Sequence, residues 1–116
     1  MHENVLMKRQ NRIQKYREFD EIIKSCPFVK SSHFVVYYRT NKASKARIGI
    51  SVSKKNGGAV TRNLIKRQIR AIIAEHFDLS ISIDVIIIAR ASYDTTQFHG
   101  EEVELSSALA KIGEKH

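Results

Sequence analysis

The chain has 116 residues, 42% of them hydrophobic, with one Pro and one Cys, and this length supports one hydrophobic core and one domain over residues 1–116. No apolar run approaches the roughly 20 residues of a membrane helix, no apolar segment follows the charged N-terminus as a signal peptide requires, and the single Cys26 excludes an intrachain disulfide and suits the cytoplasm. The formal charge of +8 is unevenly placed: no acid lies between Glu21 and Glu75, while twelve Lys and Arg fall in that gap. A field of one sign this long repels itself unless a polyanion relieves it, and nucleic acid is the leading candidate. The plainer reading is a basic surface kept for solubility.

In chain order, residues 1–12 are polar and expected to be flexible. Tyr16, Phe19, Ile22 and Ile23 recur with helical spacing, which predicts a helix over 16–24, stopped by Pro27. A short strand is expected over 29–32. "HFVVYYRT" (33–40) is rich in β-branched and aromatic residues and predicts a strand. "NKAS" (41–44) supplies a turn, and "ARIGISVS" (46–53) alternates with Ile48, Ile50 and Val52 on one face. Two neighbouring strands joined by a short polar loop imply an antiparallel hairpin. Gly57-Gly58 then frees the chain to turn into a helix over 59–76. A strand follows over 80–92, whose unbroken Val85–Ile88 centre suggests a central place in a sheet. Leu105, Ala108, Leu109 and Ile112 predict a final helix, with Glu101, Glu102 and Glu104 as its solvated start. The order is αβββαβα, an α/β (α+β) fold read as a two-layer sandwich.

Projected at 100° per residue with Val60 at zero, Arg62, Asn63, Lys66, Arg67 and Arg70 fall between about 200° and 340°, and Ile65, Ile69, Ile72 and His76 between about 120° and 180°. One face is therefore apolar and the adjoining face cationic. The like charges at i, i+4 (Arg62, Lys66, Arg70) destabilise an isolated helix, and no acid nearby relieves them. Cations at this spacing reach successive phosphates. Asn63 suits a sugar hydroxyl, a base edge or the turn entering the helix. The apolar face lacks the Trp or Phe of a membrane-surface helix, so no membrane partner is expected.

No protein-borne active site emerges. His2, His33, His76, His99 and His116 share no metal-ligand spacing, and His76 is expected as a partly buried packing residue. The basic region holds no paired carboxylates for a metal-dependent nuclease, and no phosphate-binding glycine fingerprint appears. No catalytic residue, protein-bound metal or small-molecule substrate is expected. The residues describe a binder working beside a catalyst.

"RIGISVSKKNGGAVTRNLIKRQIR" (47–70) resembles the signature of the protein subunit of bacterial ribonuclease P, in which a strand ending S-V-S-K-K meets a Gly/Asn turn and then R-N-R-x-K-R-x-x-R. "NRIQKYREFDEII", "HFVVYY" and "IDVIIIARAS" resemble further segments of that family, so the likeness runs from about residue 9 to 112. Two departures stand out: Leu64 replaces the second Arg of R-N-R, and Gly57-Gly58 replaces the usual I-G-N turn. The resemblance implies a left-handed βαβ crossover, against the usual hand. It implies that Lys54, Lys55, Arg62, Asn63, Lys66, Arg67 and Arg70 face the catalytic RNA subunit. It also implies a separate cleft for the single-stranded 5′ leader of precursor tRNA, formed by Phe19, Tyr37 and Arg12, with Ile23 where the family has a second aromatic. Unpaired bases stack on such rings, although periodicity reads Phe19 equally well as core. Mg2+ would sit on the RNA, which would do the cutting. A ribosomal-type RNA-binding domain and a stand-alone ribonuclease using His33 or His76 are the alternatives.

Overall fold

The strand Ile83–Ala89 organises the molecule. A computed structural model of the chain describes residues 12, 13 and 15–115; the flexibility expected of residues 1–11 lies outside them. Four strands form one sheet: β1 (Phe28–Lys30), β2 (Phe34–Thr40), β3 (Arg47–Val52) and β4 (Ile83–Ala89), in the order β1-β2-β4-β3. Three helices complete the chain, α1 (Tyr16–Ser25), α2 (Ala59–His76) and α3 (Phe98–Lys115), so the αβββαβα order is present.

The hairpin expected between β2 and β3 does not form. β4 lies between them, antiparallel to β2 from Phe34↔Ala89 to Thr40↔Ile83 and parallel to β3 from Arg47↔Asp84 to Val52↔Ala89. The reason is burial. Six of its seven residues are buried, Ile88 alone being partly so, and only a central position covers both faces of such a strand. The polar loop after β2 therefore spans the width of β4 instead of turning tightly. It is tied to the segment entering that strand by Asn41 N–H donating to Ser82 O (3.0 Å) and Ala46 N–H donating to Leu79 O (2.9 Å). The strand predicted over 80–92 is shorter because Ser80 N–H and Oγ both donate to Asp78 Oδ1, which fixes a turn before Ile83.

One face of the sheet carries the main core. Phe34, Val36, Ile48, Val85 and Ile87 meet Ile65, Ile69, Ile72 and Ile73 of α2 and Leu105, Leu109 and Ile112 of α3. The other face carries a smaller cluster in which Tyr37, Ile86 and Ile88 meet α1 and the residue that precedes it, through Ile13, Phe19, Ile22 and Ile23. Arg12 and Ile13 do not hang free: Arg12 forms a parallel bridge with Ile48, and Ile13 N–H donates to Ile48 O at 2.9 Å. That bond covers part of the outer edge of β3, which otherwise lacks a neighbouring strand among the described residues.

Asp84 is fully buried on the α1 side. Its carboxylate accepts from Arg39 Nε (3.0 Å), Arg47 Nε (2.9 Å), Arg47 Nη2 (2.9 Å) and Asn41 Nδ2 (2.8 Å). Burial alone would raise its pKa, but the hydrogen bonds from Arg47, Asn41 and Arg39 outweigh burial and hold the carboxyl below its ordinary value. A carboxyl whose folded pKa is depressed contributes stability above its unfolded pKa of about 3.9, lost as pH falls through the folded value. The urea midpoint should therefore fall steeply below about pH 4 in the wild type, and more gently in Asp84→Asn. Parallel curves for the two proteins from neutral pH down to pH 3 would assign the acid transition to other groups.

Candidate nucleic-acid interface

Ser53 begins the corner that presents α2. Its Oγ accepts from Lys55 N–H at 3.3 Å, a single turn of 3₁₀ helix follows at Lys54–Asn56, and Gly57 takes a φ of 128°, which disfavours any side chain. Asn56 Nδ2 donates to Arg90 O at 2.8 Å, anchoring this corner to the residue after β4. Lys54 and Lys55 stand exposed on it.

The cationic stripe of α2 divides into two sets. Arg62, Lys66 and Arg70 are half-buried beside the core, because Ile73, fully buried, shares their flank of the helix. Asn63 and Arg67 point outward and are exposed. Nε of Arg62 and Nε of Arg70 are buried with no hydrogen-bond partner among the described residues. Burial and then the charge of Arg12 lower the pKa of Arg70 from its ordinary value. The ion pairs of the described residues involve Lys24, Arg39, Arg47 and three histidines, His76 at the end of α2 among them, and none involves a Lys or Arg of α2 or of the corner. Donors held in low dielectric without an acceptor favour an anion from outside.

Beside these cations the surface is concave. A cavity of about 140 Å³ is lined by Arg12, Phe19, Lys66, Arg70 and the β3 residues Ile48–Ile50. It adjoins one of about 350 Å³ lined by Lys15, Tyr16, Phe19, Ser51 and Lys66. Phe19, Ile50 and Lys66 border both, so a continuous groove follows the edge strand β3 between α1 and α2. The two surfaces expected to be separate thus meet: Arg12 and Phe19 share walls with Lys66 and Arg70. Tyr37 and Ile23 do not line this groove. They pack behind Phe19 in the small cluster, and the Tyr37 ring leans on Phe28 with centroids 5.3 Å apart. Phe19 packs in that cluster and also lines the groove.

Lys15 and Ser51 were not singled out by sequence reasoning, which read Tyr16 and Ile50 only as apolar positions of a helix and a strand. Tyr16 shares the helical spacing of Phe19, Ile22 and Ile23 but is 84% exposed. Gly49 carried a signal, since glycine inside a strand often marks close approach. A Cβ there would sit 2.6 Å from Phe19 Cε2, so the ring rests on the glycine.

The acids at the start of α3 are not uniformly solvated. Glu101 is buried, with Oε1 2.6 Å from His33 Nδ1 and Oε2 accepting from Asp94 N–H at 2.7 Å. Glu104 Oε1 lies 3.3 Å from the same ring nitrogen, and its Oε2 accepts from His33 N–H at 2.7 Å. Sequence spacing could not reveal this group, because its members are about 70 residues apart and meet only where α3 crosses the β1–β2 turn. The three residues offer ligand atoms within 4.8 Å of one another, but those atoms already satisfy one another and tie turn to helix. His76 is likewise not a packing residue. It is exposed in the last turn of α2, beyond the sheet, with Nε2 3.0 Å from Glu102 Oε2.

Comparison with known proteins gives the family and the fold. Residues 7–113 match the family described as Ribonuclease P. The chain belongs to the ribonuclease P protein family. It is 42% identical over 108 residues to the ribonuclease P protein component of Mesoplasma florum, covering 91% of this chain and 98% of that one. Among solved structures, a Staphylococcus aureus ribonuclease P protein mutant with defective mRNA degradation activity superposes with a TM-score of 0.78 at 40% identity, covering 94% of this chain and 92% of that one. The ribonuclease P protein of Thermotoga maritima superposes with a TM-score of 0.69 at 27% identity, covering 87% and 93%. Leu64, the departure from the ribonuclease P pattern, is 36% exposed one turn after Val60, itself 86% exposed, and neither lines the groove. The missing Arg leaves the groove's own cations in place.

Proposed function

We propose that this chain is the RNA-binding subunit of a cytoplasmic ribonuclease P holoenzyme that removes the 5′ leader of precursor tRNA. The observation that carries the reading is the groove itself, where Arg12, Lys66 and Arg70 converge on one cavity beside Phe19 with no carboxylate among the described residues of its lining. Phosphate oxygens of RNA would supply the acceptors that the buried Nε donors lack, and each neutralised phosphate releases counterions. Arg62, Asn63, Lys66, Arg67 and Arg70, with Lys54 and Lys55, form the face offered to the catalytic RNA. The leader strand runs past Phe19, a half-buried ring in the groove lining on which an unpaired base would stack without sequence preference, with Tyr37 and Ile23 supporting that ring from behind.

Mg2+ in this reading belongs to the RNA, where it would activate water for phosphodiester hydrolysis. What the protein's own residues do is hold the leader and screen phosphate repulsion. The test is reconstitution on 5′-labelled precursor tRNA. The chain alone should leave the substrate uncut, and with its RNA subunit it should permit cleavage at lower Mg2+ than the RNA alone requires. An absence of stimulation overturns the reading. Cutting by the chain alone, abolished by His33→Ala or His76→Ala, would replace it with a protein ribonuclease, and preferential binding of ribosomal RNA with a ribosomal role.

A further inference from the structure

We infer that Asp84, which does not touch the groove, is a positioning residue for it: through Arg39 and Arg47 it sets where α1 sits, and with α1 the ring of Phe19. Asp84 is in register with Arg39 on β2 and Arg47 on β3, so the three form one row across the sheet on the α1 side. The carboxylate fixes both guanidinium groups, and each then reaches onward. Arg47 Nη2 donates to Glu18 Oε2 at 2.6 Å and Arg39 Nη1 to Glu21 Oε1 at 3.1 Å. Glu18 and Glu21 are one turn apart on α1 and bracket Phe19 in sequence.

Besides these ties the helix is held only by the small cluster through Phe19, Ile22 and Ile23. It spans 10 residues, only Ile22 within it is buried, and its first residue lacks a side-chain cap. A helix this short is marginal without tertiary contacts. Exposed ion pairs would add little because two long side chains must be ordered for each. Here the arginines are already ordered by a buried carboxylate, and the planar guanidinium keeps its donors in a fixed fork. Two residues along the sheet, Gly49 completes the seat by leaving space for the Phe19 ring. The distance between Phe19 and the Lys66–Arg70 side of the groove therefore depends on a residue on the central strand.

The tRNA arm of the test rests on the function proposed above; the exchange arm does not. In Asp84→Asn, and separately in Glu18→Gln/Glu21→Gln, amide hydrogen exchange over Phe19–Ile23 of the free protein should quicken by about tenfold, with the amides of α2 changed far less. The double Glu variant leaves the buried carboxylate intact and keeps the test decisive if Asp84→Asn unfolds. In the reconstituted holoenzyme both variants should lose about tenfold in affinity for precursor tRNA, with mature tRNA and RNA-subunit affinities near wild type. Uniform quickening across α1 and α2, or unchanged exchange in α1, would overturn the inference. If the wild-type holoenzyme itself shows no preference for precursor over mature tRNA, the function reading fails while the exchange result still decides the role of Asp84.

Discussion

Arg62→Ala/Lys66→Ala/Arg70→Ala should weaken binding to the ribonuclease P RNA subunit by on the order of 100-fold, from three charge-assisted contacts of about 1 kcal/mol each. The same variant should fold at least as well as the wild type. These opposite signs follow from one arrangement. In the free protein the three cations repel one another at i, i+4, each pair costing a few tenths of a kcal/mol, and two of them bury an Nε donor without an acceptor. Removing them relieves both costs, offset by the packing of their aliphatic stems. In the complex, the phosphates that would satisfy them are left bare. Plots of log K against log salt should become shallower by about 2 to 3, near one per lost cation. Arg67→Ala, exposed on the outer side of the helix, should lose less affinity and leave stability unchanged. A loss of affinity independent of salt, or a large fall in the urea midpoint, would place these side chains in the fold and not in the interface.

Phe34→Ala should cost about 3–5 kcal/mol, a large share of the 5–15 kcal/mol that holds a typical domain. Phe34 is fully buried at the start of β2 and meets Tyr93 edge-on, with centroids 5.6 Å apart and planes at 80°. The vacated space cannot readily close. Tyr93 is held by its hydroxyl donating to Gln68 Oε1 at 2.8 Å, and Gln68 Nε2 donates in turn to Thr95 O at 3.2 Å. A rigid wall leaves a cavity, and the cavity term adds to the lost burial. Ile23→Ala, in the smaller and partly exposed cluster under α1, should cost less. Urea unfolding of both variants checks the order; a cost for Phe34→Ala below about 1 kcal/mol would mean that the core collapses around the gap.

Helix α2 was legible residue for residue, from Ala59 to His76. Its apolar spacing and the Gly57-Gly58 entry are local signals, and both act within a turn or two of chain. The cationic stripe was legible for the same reason. The central place of β4 was also legible, because an unbroken apolar run suggests a strand covered on at least one face; the structure covers both. Its neighbours were not. Sequence proximity favours pairing β2 with β3, and nothing within residues 33–53 shows that a strand more than 30 residues later will separate them.

The same limit applies to the site. Periodicity could name Phe19, Lys66 and Arg70 one at a time, and Arg12 came only from the family resemblance. That they share a cavity depends on how α1 and α2 flank the edge of β3, and so on the strand order. Glu101 looked like an ordinary acid in a first helical turn, and only the approach of His33 from the β1–β2 turn buries it. Composition, charge pattern and local spacing were enough for the order of the elements and for the acid-free cationic face, and the motif resemblance was enough for the family. Strand neighbours, the joining of two surfaces into one groove and the tie from Asp84 to α1 were decided in three dimensions. The physical reason is that these features rest on contacts between residues tens of positions apart, whose partners are selected by burial and register and not by the residues beside them in the chain.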